Sequence, residues 1–324
     1  MYHGKVDLHL HLDGSLSESV VDELLRLDGE NLSAEVIRDR MRVPENCKSL
    51  VEYLQRFELP TQVLQTEYAL ERAAYELVER LAGQGLVYCE IRFAPQLHTH
   101  RGLDQRTVVK SVIRGVRQAE HDYPTIRAGI LLCGLIGSED AVNRQILDLA
   151  GEFLGQGVVG IDLAGAECMF PLELYAPIYM QAAKENIPFT LHAGETGSFE
   201  NIRRSVELGA RRVGHGCAAI RDESVMELLK RSGTIVEACV ISNLQTKIVL
   251  DAKQHPMAEF YRRGIRVTVN TDNMTCSDTT LRREHDLLRE AFSFSDEDFR
   301  QMDAYAISGA FIPEEEKAAL IARL

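Results

Sequence analysis

Four short stretches of this chain carry side chains that could hold a cation or move a proton. The earliest, from 5 to 15, reads Lys-Val-Asp-Leu-His-Leu-His-Leu-Asp-Gly-Ser. It alternates strictly, which is the period of a β-strand whose two faces meet different surroundings. Val6, Leu8, Leu10 and Leu12 share one face, and Asp7, His9, His11 and Asp13 share the other. Next-but-one residues of a strand lie about 6.5–7 Å apart, so His9 and His11 can converge on one ion. Farther on, Phe-Thr-Leu-His-Ala-Gly-Glu supplies His192 and Glu195, and Arg-Val-Gly-His-Gly supplies His215. Val-Thr-Val-Asn-Thr-Asp-Asn then supplies Asp272 and Asn273. Taken singly, each has a plainer reading. The paired histidines could be hydrogen-bonded on a half-exposed strand, Glu195 a solvated cap, His215 a satisfied core residue and Asp272 the cap of the next helix. The chemical reading requires one fold that brings all of them together.

The elements between these stretches supply such a fold. After the opening strand, strand patterns recur at 87–95, 126–135, 158–165, 187–195, 212–216, 234–242 and 266–273. Helical patterns lie between them at about 66–84, 104–122, 139–156, 173–186, 199–210, 222–231 and 256–263. Eight strands, each followed by helical sequence, predict an α/β fold of the (β/α)8 TIM-barrel kind, one domain over 1–324. No Gly-x-Gly-x-x-Gly follows the first strand, which argues against a doubly wound dinucleotide fold. Extra helices are expected after strand one, and again at 278–294, 298–309 and 313–323. In the segment 49–57, Leu50, Tyr53, Leu54 and Phe57 recur at helical spacing. Such a stripe is most often core, but its position makes it a candidate lid. A barrel carries its chemistry at the C-terminal ends of its strands, and those are the ends on which the polar residues fall. Three imidazoles and a carboxylate there can ring one divalent ion, zinc first among the choices for mixed N and O donors.

Composition narrows the function class. The chain has 324 residues, 45% hydrophobic and 26% charged, with a net charge of −13. That acidity and the absence of a basic patch argue against a nucleic-acid partner. No apolar run approaches a membrane span, and Met-Tyr-His-Gly-Lys runs directly into a strand, so neither a membrane span nor a signal peptide is expected. The seven cysteines (47, 89, 133, 168, 217, 239 and 276) lack Cys-x-x-Cys spacing. They fit a reducing cytoplasm, and they lack the Pro-Cys-x-x-Cys of cytidine-deaminase zinc sites.

Together the opening stretch, Arg92-Phe-Ala-Pro, Asp162-Leu-Ala-Gly, His192-Ala-Gly-Glu, Gly-His215-Gly and Asn-Thr-Asp272 resemble the adenosine deaminases of the metal-dependent amidohydrolase superfamily. The resemblance runs from strand one to strand eight. It implies a zinc barrel that converts a 6-aminopurine nucleoside to its 6-oxo product and ammonia, in purine salvage. Carried over by position, His9, His11, His192 and Asp272 would be the ligands of one zinc ion. Glu195 would protonate purine N1, and His215 would hold and help deprotonate the attacking water. Asp272 would join in that catalysis, and His11 would also face the substrate. Asp13 would take the ribose 5′-hydroxyl, and the Gly165 N–H would meet N3.

Those residue types suit the reaction. A bound zinc lowers the pKa of water to near 7. Addition at C6 loads charge on N1, which calls for a protonated carboxyl beside it. No lysine stands at the end of strand four or five to bridge a second metal, which favours a single ion. The chain departs from the familiar pattern twice. Asn273 stands where a second acid is usual, and Ala166 stands where Asp is common. An Asn amide offers N7 a donor without needing a raised pKa. Two other readings stand beside this one: a deaminase of adenine or another 6-aminopurine compound, and a barrel that binds nucleosides without catalysis.

Overall fold

The computed structural model describes residues 5–167 and 169–324, so the first four residues and Cys168 lie outside it. Eight parallel strands follow in chain order: β1 (Lys5–His11), β2 (Leu86–Phe93), β3 (Arg127–Leu135), β4 (Val158–Ala164), β5 (Thr190–Ala193), β6 (Arg212–His215), β7 (Ile235–Ala238) and β8 (Val267–Val269). They pair as two four-stranded sheets, β1 to β4 and β5 to β8. Backbone hydrogen bonds bridge both seams. Ile161 N–H donates to Pro188 O at 3.0 Å where β4 meets the approach to β5. Beyond β8, Asp272 N–H donates to His9 O at 2.8 Å and Asp272 O accepts from His11 N–H at 2.7 Å. The eight strands therefore close into the expected (β/α)8 barrel.

Extra helices stand after β1 and at the C-terminus as expected, and Ala34–Met41 and Glu58–Val63 lie in stretches not read as helical. Glu18–Leu27, Ala34–Met41, Leu50–Leu54 and Glu58–Val63 precede the first barrel helix, Glu67–Gly83. Leu281–Phe292, Asp296–Gly309 and Glu314–Ile321 follow β8. Short polar side chains start many of them. Ser17, Ser33, Ser49 and Thr66 each accept a hydrogen bond from a backbone N–H in the first turn, which satisfies a donor that the helix itself leaves free. Val20, Val21, Leu24 and Leu25 form the buried face of the first helix. Full burial of an aliphatic side chain of this size stabilises by about 1.5–3 kcal/mol. The alternation of β1 is realised as expected. Leu10 and Leu12 join the main core, while Val6 and Leu8 pack against Ile307, Ala310 and Leu320.

Three strands, β5, β7 and β8, are well short of the expected ranges, β8 ending at Val269 rather than 273. Regular pairing in β7 ends at Ala238, and Val240–Gln245 is a helix rather than the end of a strand. The run Val-Ile-Ser-Asn-Leu carries no period that separates strand from helix. β5 begins only at Thr190, because Pro188 has no N–H for a ladder and contributes its carbonyl to the seam instead. The six described cysteines are buried and unpaired. No helix among the described residues is long and apolar enough to cross a membrane.

Candidate active site

The C-terminal ends of β1, β5 and β6 and the turn after β8 meet over the barrel axis. His9 and His11 end β1, His192 lies in β5, His215 ends β6, and Asp272 follows β8. Ring nitrogens of His9, His11 and His192 all lie within 4.8 Å of one another, and atoms of His9, His215, Cys239 and Asp272 form a second such group. Asp272 Oδ1 lies 3.6 Å from His9 Nε2 and 3.4 Å from His11 Nε2. His215 and Asp272 both hold positive φ, 62° and 58°. L-residues adopt that conformation rarely, and strained backbone of this kind clusters where side chains must be aimed. Next to His215, an added Cβ on Gly214 would lie 2.8 Å from His9 Cε1, so only glycine lets the His9 ring sit there.

Buried carboxylates brace these imidazoles from below. His9 Nδ1 donates to Glu237 Oε2 at 2.7 Å. Its Nε2 faces the other donors, buried and without a hydrogen-bond partner. His192 Nδ1 lies 2.9 Å from Asp162 Oδ2, off the line of a good hydrogen bond. Arg92 joins the two braces, donating to Asp162 Oδ2 at 2.6 Å and to Glu237 Oε2 at 3.0 Å. Arg212 holds the other side of Glu237 and pairs with Glu90. All of these charges are buried, so each depends on its partners. Burial tends to raise the Asp272 carboxyl, but His9, His215 and His11 outweigh it and hold Asp272 well below the usual carboxylate range. Burial also holds His11 and His215 neutral, well below the ordinary histidine value.

His9 Nε2, buried without a hydrogen-bond partner, faces the His11 ring and the Asp272 carboxylate at one point. The donor set therefore fits a divalent cation. The Cys239 thiol is the odd member of its group, since it is turned to the Glu237 carbonyl at 3.6 Å.

Glu195 follows β5 and is buried, with Oε2 3.7 Å from His215 Nε2. Burial, then the charge of Asp272 and of Glu167, push its carboxyl up to about 8. The loop that carries it is clamped. Glu167 accepts from Gly194 N–H at 2.7 Å, from Thr196 N–H at 2.9 Å and from Asn201 Nδ2 at 2.8 Å.

A cavity of about 450 Å³ opens beside these groups. His11, His192, Glu195, His215 and Asp272 form its polar side. Asp13, Gly165 and Asn273 line it as well, so every residue assigned from the sequence except His9 reaches its wall. Asp13 Oδ1 accepts from Gly14 N–H at 3.0 Å, and burial pushes the carboxyl up to about 6. Gly165 has φ +108°, a backbone conformation that side chains rarely adopt, and an added Cβ would only touch Ile136 at 3.4 Å. Asn273 Oδ1 is buried without a partner where it crosses Gly14, and a Cβ at Gly14 would lie 1.9 Å from it. The segment 49–57 forms the apolar wall through Leu50, Tyr53, Leu54 and Phe57, with the Phe57 ring centroid 6.4 Å from that of His11. The Tyr53 hydroxyl reaches Ser277 Oγ at 2.7 Å, tying this wall to the turn after β8.

The family model for adenosine deaminase matches residues 4–324. This chain belongs to the adenosine deaminase family. As a member it is a hydrolytic deaminase. An adenosine deaminase of Haemophilus ducreyi is 40% identical, with 99% of this chain and 96% of that protein covered. Among solved structures, an adenine deaminase of Arthrobacter aurescens superposes with a TM-score of 0.90 at 25% identity, covering 99% and 98% of the two chains. An N6-methyl-AMP deaminase of Arabidopsis thaliana does so at 0.86 and 28%, covering 98% and 95%.

Several functional side chains of this deaminase were not assigned from the sequence. Asp162 and Arg92 entered only as parts of motifs, and Glu237 and Glu167 did not enter at all. Glu237 had a signal, an acid in the middle of the apolar run Ile-Val-Glu-Ala-Cys. Glu167 had none, since its partners lie 27 to 34 positions away.

Proposed function

We propose that this deaminase hydrolyses adenosine and 2′-deoxyadenosine to inosine, or deoxyinosine, and ammonia in purine salvage. In this reading the whole span 1–324 acts as one catalytic barrel domain with one zinc ion, held by His9, His11, His192 and Asp272. The observation that carries it is Glu195, a carboxyl with a pKa near 8 facing the same cavity as that donor set. A binding protein has no need of a proton donor there, whereas addition to a purine ring does.

When bound, the ion supplies an activated water near neutral pH. The chain supplies the rest. Glu195 is protonated at neutral pH and delivers its proton to N1 as charge develops there. His215, with Asp272 across the site, holds the attacking oxygen in line with C6. The Gly165 N–H meets N3. Asn273, in the cavity wall, would offer its NH2 to N7. Asp13 has one carboxylate oxygen not used by Gly14 and takes the ribose 5′-hydroxyl. His11 lines the substrate side of the ligand set, and the 49–57 wall closes over the sugar as a lid.

Two features of the cavity favour a nucleoside over the other substrates in this fold group. Among the described residues its lining contains no Lys or Arg, and the group at the sugar end is the acid Asp13. A 5′-phosphate there would meet like charge. Adenine alone would leave Asp13 and the apolar wall without partners. The test is turnover of the zinc-reconstituted protein on adenosine, 2′-deoxyadenosine, adenine and AMP. Adenosine and its deoxy form should react at least tenfold faster than the others. Equal or faster turnover of adenine or AMP sinks this assignment.

A further inference from the structure

The side of His215 that faces away from the cavity is held by a chain of hydrogen bonds whose polarity can be worked out from its far end. His215 Nδ1 lies 3.0 Å from Asn243 Nδ2. Asn243 Oδ1 lies 3.1 Å from His255 Nε2 and 3.2 Å from Cys217 Sγ. His255 Nδ1 accepts from the backbone N–H of Met257 at 3.2 Å. All four side chains are buried.

A backbone N–H can only donate, so His255 Nδ1 carries no proton. Burial pushes the His255 imidazole down to about 3, which keeps it neutral, and its one proton is then on Nε2. That proton points at Asn243, which must meet it with oxygen. The Cys217 S–H reaches the same oxygen, and its sulfur also lies 3.6 Å from His255 Nε2. The Asn243 NH2 is thereby turned to His215 Nδ1, which must accept. An imidazole whose Nδ1 accepts carries its proton on Nε2, here the nitrogen that faces Glu195 Oε2 across 3.7 Å. Reversing the amide would set its NH2 against the His255 proton, and moving that proton to Nδ1 would set it against the Met257 N–H. Either arrangement buries two facing donors.

We propose that Asn243 and His255 are positioning residues that hold His215 in its Nε2–H tautomer, so that His215 meets the reacting oxygen as a hydrogen-bond donor. The deaminase reading enters only in naming what His215 faces. The tautomer itself follows from the chain's own contacts. This revises the sequence-based role of His215, because an Nε2 that already carries a proton cannot take one from water.

The experiment uses the zinc-loaded protein with ¹⁵N-labelled histidine, the His215 signals being identified by their loss in His215→Asn. Wild type should show a protonated Nε2 and an unprotonated Nδ1. Asn243→Asp replaces the NH2 donor by an acceptor and should move the proton to Nδ1. The same variant should keep its zinc and its KM for adenosine while kcat falls about 10²-fold, the scale for losing one aimed donor. His255→Leu removes the donor that orients Asn243, and gives a second reading if Asn243→Asp does not fold. It should yield both tautomers, whereas His255→Gln, which retains an N–H donor, should restore the Nε2–H form. A wild-type His215 protonated at Nδ1, or an unchanged tautomer in both Asn243→Asp and His255→Leu, overturns the proposal even if the enzyme deaminates adenosine well. A wild type inactive on adenosine but with His215 in the Nε2–H form sinks the substrate assignment alone.

Discussion

The two halves of the barrel are built differently. Strands β1 to β4 run seven to nine residues, while β5 to β8 run only three or four. Every described non-glycine residue with positive φ lies after β4: Asn186, His215, Lys247, Asp272, Asp278 and Ser293. Glu195, His215 and Asp272 belong to this second half, as does the helix that carries Asn243. The first half contributes long ladders, the Arg92–Asp162 brace and, at the end of β1, His9 and His11. Regular pairing fixes backbone direction residue by residue. Short strands release the chain early, so side chains can be aimed at angles that a ladder would forbid. The half with fewer ladder bonds carries the buried acid Glu195 and the strained His215 and Asp272, and the half with more holds the frame around them.

If this division holds, changes in the second half should cost rate, and changes in the first half should cost stability. The largest effect is expected at Glu195. Glu195→Gln should lower turnover of adenosine by about 10²–10⁴-fold, with zinc content and urea midpoint close to wild type. The amide is neutral and nearly the same shape as the protonated carboxyl it replaces. The same group sets a pH limb. Its raised pKa means that the active, protonated form prevails below about 8 and is lost above it, so kcat/KM should fall as pH rises through that value. Glu195→Gln should lack this limb, and a variant that keeps it would show that another group titrates.

Next in size is a first-half change. Arg92→Met leaves Asp162, and one oxygen of Glu237, buried without their cation, a loss of about 3–5 kcal/mol. Urea unfolding of the metal-free protein reads this directly. A loss below about 1 kcal/mol, the scale of an exposed pair, would deny the first half its role as brace.

Asp13 tests the boundary, since it follows a first-half strand yet lines the cavity. Asp13→Ala should raise KM for adenosine about tenfold or more, the scale of a hydrogen bond to a charged group. The effect on 5′-deoxyadenosine should be much smaller. Equal effects on the two substrates would make Asp13 another structural residue of the first half.

The smallest effect is expected at Asn273. 7-Deazaadenosine should react about tenfold worse than adenosine in the native enzyme, because a donor is stranded. Asn273→Ala should narrow that gap. A mutation that costs both substrates the same factor would mean that Asn273 does not read N7.

How much of this was legible in the sequence follows from the range of each signal. The alternation of Val6, His9, Leu10 and His11 is a local pattern, and so are the turns after His192 and His215. The βα period then brought those ends together. The pattern of β7 could not say where strand gives way to helix, so Asn243 lay just past a run read as strand, with no sign that it faces His215. The links among Arg92, Asp162 and Glu237 join residues 70 and 145 positions apart. Nothing short-range records such pairings. The Gly14–Asn273 contact is of the same kind. Gly14 reads as the end of a strand, and only the folded ring shows that a methyl group there would displace an amide from the other end of the chain.

The seam at Asp272 also bears on how the enzyme is made. Its backbone bonds on both sides to β1, across more than 260 positions, and its side chain reaches His9 and His11. Ring closure and completion of the proposed ligand set are thus a single event. Contacts of that sequence separation form slowly, because a long loop must be closed before they give anything back. On the ribosome, a nascent chain whose turn after β8 is still in the exit tunnel can present three imidazoles but not the carboxylate. Any ion it gathers at that stage sits in an incomplete, open ring, and the final grip on the metal waits for the barrel to shut.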